Sequence, residues 1–193
     1  MSRIIDHLIL AVGPSSREEI TTRLTASGFV HQPGRVFEGG NYANEAAVFA
    51  GGAFIEMLRP LQDPGIPEVW FSDTPRIQGV GYTTRDPQEY DELAAPWASI
   101  KDSWNREFGG ERPDGRVLKV RGAGPVPHLS EFYPFIMDRP KPDYGHLAAT
   151  PELRKITFAG ARHEEWRRDM AEWFRLAEHP DGLASDDGVV VAF

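Results

Sequence analysis

The sequence predicts an α+β fold: paired βαβββ units form a cupped eight-stranded mixed sheet, with a C-terminal βαβ extension. Three observations carry this. Apolar runs at strand spacing surround one helical stretch in the order β-α-β-β-β over about residues 4–60. The same order returns over about residues 76–139, more often broken by glycine and proline. A shorter β-α-β pattern fills about 152–193. Each longer unit makes a curved four-stranded sheet with its helix on the convex side, and two units side by side enclose a concave face.

In the first unit, Ile4–Val12 is a strand because β-branched residues and leucine crowd it. Gly13-Pro14-Ser15-Ser16 breaks it, and a serine there is suited to cap the next helix. Ile20, Leu24 and Ala26 give that helix an apolar stripe, which Gly28 stops. Phe29–Phe37 is a second strand, bent at Pro33-Gly34. Glu38-Gly39-Gly40 turns the chain into Tyr42–Ala50, and Gly51-Gly52 is a hairpin signal before Ala53–Arg59.

A proline-rich passage from Pro60 to Pro75 leads to the second unit. Ile77–Thr83 is its first strand, and Asp86-Pro87 opens a helix to about Ala98 with Asp86 as N-cap. Trp104–Phe108, Val117–Arg121 and Phe132–Asp138 complete it, with a turn at Arg112-Pro113-Asp114-Gly115. In the tail, Leu153–Phe158 is a strand, and Glu164–Ala177 is an amphipathic helix with Trp166, Met170, Trp173 and Phe174 on one side. Val189–Phe193 closes the chain. The tail reads equally as a truncated third unit or as a cap on the outer face of the sheet.

A chain of 193 residues suits one domain, residues 1–193, with a core of its own. With 40% hydrophobic residues it has the means to build that core. It has no cysteine, which excludes disulfides, thiolate metal sites and thiol nucleophiles and points to a reducing cytoplasm. A net charge of −8, spread along the chain, opposes nucleic acid, and no basic patch suits a membrane surface. The apolar run at the N-terminus breaks too soon for a signal peptide, and no stretch is long enough to span a bilayer. Phosphate-loop, dinucleotide, nucleophile-elbow and His-Glu-x-x-His signatures are absent. A soluble protein acting on a small molecule is the expectation.

Two polar residues interrupt the concave face. Period-two alternation puts His7 on one face with Ile5 and Ile9, and Glu56 on one face with Phe54 and Leu58. An ionised Glu is costly there unless it is paired or bound to a metal, and in an apolar cup its pKa rises, making it a candidate general base. The plain alternatives are a core histidine tied to a neighbouring strand or to Glu56 itself, and a Glu paired with an arginine such as Arg112. Asn44 on the third strand either orients a ligand carbonyl or ties strands together. Trp70, Phe71, Trp104, Tyr133 and Phe135 suit the mouth of the cup, where they line an apolar pocket or simply pack. His128, His146, His163 and His179 read as surface groups.

Ile5-Asp6-His7-Leu8-Ile9, then Gly28-Phe29, then Phe54-Ile55-Glu56-Met57-Leu58, with Asn44, the Arg112–Gly115 turn and Pro134-Phe135-Ile136, resemble the vicinal oxygen chelate superfamily. Within it the chain is most similar to the glyoxalase-like domain branch, over about residues 4–160. The resemblance implies a divalent metal held at the first and last strand of each unit. His7 and Glu56 stand at two such positions; Gly79 and Met137 stand where the second His and Glu belong, unless a one-residue slip presents Gln78 or Asp138. The cofactor therefore stays open, with a metal on His7 and Glu56 not favoured. The resemblance also brings Arg112 toward an anionic ligand group and implies association into a homodimer through edge strands.

Two functions follow. The first is an enzyme of lyase or isomerase type acting on a small carbonyl-containing molecule, with Glu56 as base or ligand, His7 as ligand or acid, and Asn44, Arg112, Trp70, Trp104 and Phe135 at the ligand. The second is sequestration of a small aromatic or hydrophobic compound, as in resistance members of the superfamily.

Overall fold

The computed structural model describes residues 3–37, 42–61, 72, 74–84, 86–101, 103–111, 114–125, 133–138, 151–157 and 163–192. The first unit is β1 (Ile4–Ala11), α1 (Pro14–Ala26), β2 (Val30–Phe37), β3 (Tyr42–Val48) and β4 (Phe54–Pro60). Gly13, not a serine, is the N-cap of α1, because Pro14 with its fixed φ takes the first helical position. Ile20 and Leu24 pack partly buried against the core, whereas Ala26 is exposed. Gly28 stops the helix at φ +88°, a conformation that favours glycine.

The second unit is β5 (Arg76–Thr83), α2 (Pro87–Ala94), β6 (Ser103–Glu111), β7 (Val117–Pro125) and β8 (Tyr133–Asp138). Asp86 caps α2 by accepting from the Gln88 N–H at 2.9 Å. The α-helix ends at Ala94 rather than Ala98; Pro96 has no N–H to continue it, and Ala95–Ala98 tightens into a 3-10 turn.

The eight strands close in the order β1-β4-β3-β2-β6-β7-β8-β5. Within each unit the first and last strands are parallel, β1 with β4 and β5 with β8. The units meet through antiparallel β1–β5 and through β2–β6, where Val36 faces Glu111 and Phe37 faces Gly110. That short contact turns an open cup into a barrel.

The C-terminal segment, expected as βαβ, carries two further strands: β9 (Lys155–Thr157), α3 (His163–Phe174), β10 (Ala177–His179), β11 (Gly182–Ala184) and β12 (Val190–Ala192). Its sheet order is β10-β11-β12-β9 with β9 parallel to β12. That is the connectivity of the first two units, so the segment is a third βαβββ unit. Three-residue strands are too short for period two to show in the sequence. It also covers the barrel: Ile156, Met170, Phe174, Leu183 and Val191 share one buried core with Leu8, Val80, Tyr82 and Ile136. The Tyr82 and Phe174 rings stack at 5.1 Å. Burying side chains of this size stabilises by roughly 1.5–3 kcal/mol each, enough to fasten a sheet of such short strands. The 185–188 turn clamps the start of β1: Asp186 N–H donates to the Arg3 carbonyl at 2.7 Å and Ile5 N–H donates to Asp187 at 3.2 Å. Arg3 in turn pairs with buried Glu89 of α2.

Candidate functional site

The site begins with an irregularity in β1. Ile5 pairs with Tyr82 on β5, but His7 pairs with Gly81, so Asp6 is an extra residue in the ladder. Such a β-bulge resets the alternation of faces. Ile5 therefore joins the outer core with Leu8, whereas Ile9 packs inside the barrel with Val120, Phe135 and Met137, and His7 faces Phe54 and Phe135. This corrects the expectation that Ile5 shares a face with His7. In β4 the alternation is regular: Ile55 and Met57 belong to the outer core, and Phe54 packs inside with Ala46 and Val48. Glu56 lies on that inner face.

The parallel β1–β4 register sets Ile9 opposite Glu56 and brings His7 Nε2 to 3.5 Å from Glu56 Oε2. On its other side the ring is 2.6 Å from Asp6, from Nδ1 to Oδ2. Asn44, reaching diagonally from β3, donates its amide to Glu56 Oε1. Asp6, His7, Asn44 and Glu56 are all buried, none more than 9% exposed. Burial opposes a charge on the imidazole, but the hydrogen bonds and charges of Asp6 and Glu56 outweigh it, so the His7 pKa lies above 6.5. The two carboxylates thus favour the protonated form of His7.

Around this cluster the described inner wall is largely apolar and aromatic. His7 stacks on Phe54 at 4.9 Å and meets Phe135 edge-on at 5.1 Å; Trp104 lies 6.1 Å from Phe135. Glycines make room for these rings. A Cβ on Gly81 would stand 2.7 Å from Phe135 Cε2 and 3.0 Å from His7 Cε1, and one on Gly122 would stand 2.7 Å from Trp104 Cζ3.

Among the described residues, the second unit does not complete a metal site. Parallel β5–β8 pairs Gly79 with Tyr133, Gly81 with Phe135 and Thr83 with Met137. In the first unit the Glu position lies two residues beyond the partner of the His position, so by this register Gly79 goes with Phe135 and Gly81 with Met137. This corrects the pairing of Gly79 with Met137, and no side chain of these four offers nitrogen or oxygen. The β5 register slips by one residue at Gln78, between the Ile9–Gly79 and Leu10–Ile77 pairs, whereas β8 stays in register up to Asp138. Gln78 is a bulged residue that accepts from Arg76, and Asp138 pairs with Arg121 at 2.6 Å beside Tyr90 of α2. Among the described residues no three or more His, Cys, Asp or Glu are placed to hold a metal ion. Asp6 lies on the opposite ring nitrogen from Glu56 and cannot share an ion at Nε2. A catalytic site of this type takes about three protein ligands, so the described residues do not fit one.

Of the other expected ligand residues, Phe135 is buried and Trp104 half-buried, its Nε1–H donating to the Pro125 carbonyl at 3.0 Å. Trp70, Phe71 and Arg112 lie outside the described residues, as do His128, His146 and the side chains of Tyr133, His163, Trp166 and Trp173. His179 is half-buried in β10 and accepts from the Asp181 N–H. The sequence reading missed two residues. Asp6 is signalled only by being a carboxylate beside His7 in an apolar strand. Arg106 is two residues from Trp104 and opposite Gly122, hence on the inner side of β6, yet exposed. An open groove of about 460 Å³ lies elsewhere, between Leu8, Phe49 and Ile77 on the barrel exterior and residues 152–157.

The glyoxalase-like domain family model matches residues 5–174, through the first two units and α3 but not β10, β11 and β12. The chain belongs to the glyoxalase-like domain family. That family lies within the vicinal oxygen chelate superfamily. A search of curated proteins finds no match. Among solved structures, a hypothetical protein from Staphylococcus aureus has a TM-score of 0.65 at 11% identity, over 93% of this chain and 79% of that one. The 2,2',3-trihydroxybiphenyl 1,2-dioxygenase of Sphingomonas wittichii has a TM-score of 0.52 at 13% identity, over 92% of this glyoxalase-like chain and 58% of the dioxygenase. At such identities the likeness is one of fold.

Proposed function

We propose that this glyoxalase-like protein acts on a small carbonyl-containing molecule in the concave sheet, with Glu56 as general base and His7 as its acid partner. The observation that carries the reading is the buried Asp6–His7–Glu56–Asn44 cluster in a largely apolar, aromatic wall. Glu56 takes a proton from the carbon beside the carbonyl. The Asn44 amide fixes the carboxylate, and the adjacent imidazolium balances negative charge as it develops. No step runs through a metal, because the described donors do not fit one. Exposed Arg106 is a cation suited to an anionic group on the ligand. Absence of cysteine and of any described helix long and apolar enough to cross a membrane supports a cytoplasmic setting. The eight-stranded sheet closes on itself, so a homodimer through edge strands would use the third unit.

The aromatic rings around His7 favour a second reading, sequestration of an aromatic compound without turnover. Proton NMR in deuterium oxide with 1,2-dicarbonyl and α-hydroxyketone probes separates the two. The enzyme reading expects protein-dependent loss of the α-proton signal, reduced about 10²–10⁴-fold in Glu56→Gln. Binding of an aromatic probe without exchange supports sequestration, and neither binding nor exchange overturns both.

A further inference from the structure

We propose that Asp6 is the positioning residue of this site: the β1 bulge brings its carboxylate to His7 Nδ1, which fixes the proton there and leaves the Nε2 proton as the one that moves. The inference rests on the reading of His7 and Glu56 as the reacting pair. In a regular strand Asp6 and His7 would point to opposite faces. The extra residue at Asp6, between the Ile5–Tyr82 and His7–Gly81 pairs, lets both side chains meet. The two carboxylates are not equivalent neighbours of the ring. Asp6 stands 2.6 Å from Nδ1, within a strong hydrogen bond, whereas Glu56 stands 3.5 Å from Nε2. A neutral imidazole carries one N–H and one lone pair, and the shorter contact holds the N–H. Phe54 stacked on one face and Phe135 against the edge oppose the ring rotation that would exchange the nitrogens. Asp6 therefore keeps Nδ1–H in both charge states of the ring. The proton between Nε2 and Glu56 is the one free to transfer.

The test is a long-range ¹H–¹⁵N correlation spectrum of the histidine rings in the labelled full chain, at alkaline pH where the rings are neutral. His7 is identified by its loss in His7→Gln. The expected result is the Nδ1–H tautomer for His7 in the wild type and the Nε2–H tautomer in Asp6→Ala. A purely structural Asp6 would lower stability and leave the ring pattern unchanged. A wild-type His7 in the Nε2–H form, or a folded Asp6→Ala with the wild-type pattern, overturns the proposal. If Asp6→Ala does not fold, the wild-type tautomer alone decides. The spectrum needs no substrate, so failure of the proton-abstraction reading shows separately, as absence of α-proton exchange.

Discussion

His7 and Glu56 face each other across parallel strands β1 and β4, with Nε2 and Oε2 3.5 Å apart inside a barrel wall that is otherwise largely apolar. Buried polar groups in such a wall depend on one another, because neither finds water as a substitute. Glu56→Ala removes the acceptor of the Asn44 amide and one of the two carboxylates at the imidazole. It is expected to destabilise the protein by about 1–3 kcal/mol, read from the denaturant midpoint.

The pH dependence of stability has a definite sign. The folded His7 holds its proton more tightly than the unfolded one, whose pKa is near 6.5. Its stabilising contribution is therefore complete below 6.5 and is lost as pH rises through the higher folded value. Urea unfolding across this range is expected to show the wild type losing its advantage over His7→Gln with rising pH. An advantage that grows instead would contradict the raised pKa.

Gly81→Ala tests the packing around the ring. Its new Cβ would stand 2.7 Å from Phe135 and 3.0 Å from His7, both in confined rings. The expected cost is about 1–3 kcal/mol, with a weaker aromatic-probe affinity as Phe135 shifts. Thermal unfolding and probe titration read the two effects separately.

Phe174→Ala tests whether the third unit and the barrel share one core. Phe174 is 1% exposed and stacks on Tyr82 of β5. The expected loss is about 3–5 kcal/mol. It should appear as one lowered cooperative transition; separate melting of the third unit would show that the cores are independent.

Much of this was legible in the sequence. The two long βαβββ units announce themselves through apolar periodicity and glycine punctuation, and Asp86 starts one helix and Gly28 stops another as their chemistry requires. The inward placement of Glu56 followed from regular alternation in β4. His7 was placed inward too, but with the wrong neighbour, because the Asp6 bulge leaves no mark in the pattern of apolar residues. The same bulge hid the contact between Asp6 and His7. The third unit escaped because strands such as Ala177–His179 and Gly182–Ala184 are shorter than the windows on which periodicity works. Barrel closure depended on two residue pairs between β2 and β6, a long-range contact that no local signal encodes.

The central claim is that Glu56 works with His7 rather than with a metal. The most direct measurement combines elemental analysis of protein purified without tag or chelator with α-proton exchange before and after chelation. The account predicts no stoichiometric metal and exchange that survives chelation but is lost in Glu56→Gln. Stoichiometric Zn, Fe, Mn or Ni that disappears in Glu56→Ala, with exchange abolished by the chelator, would contradict it.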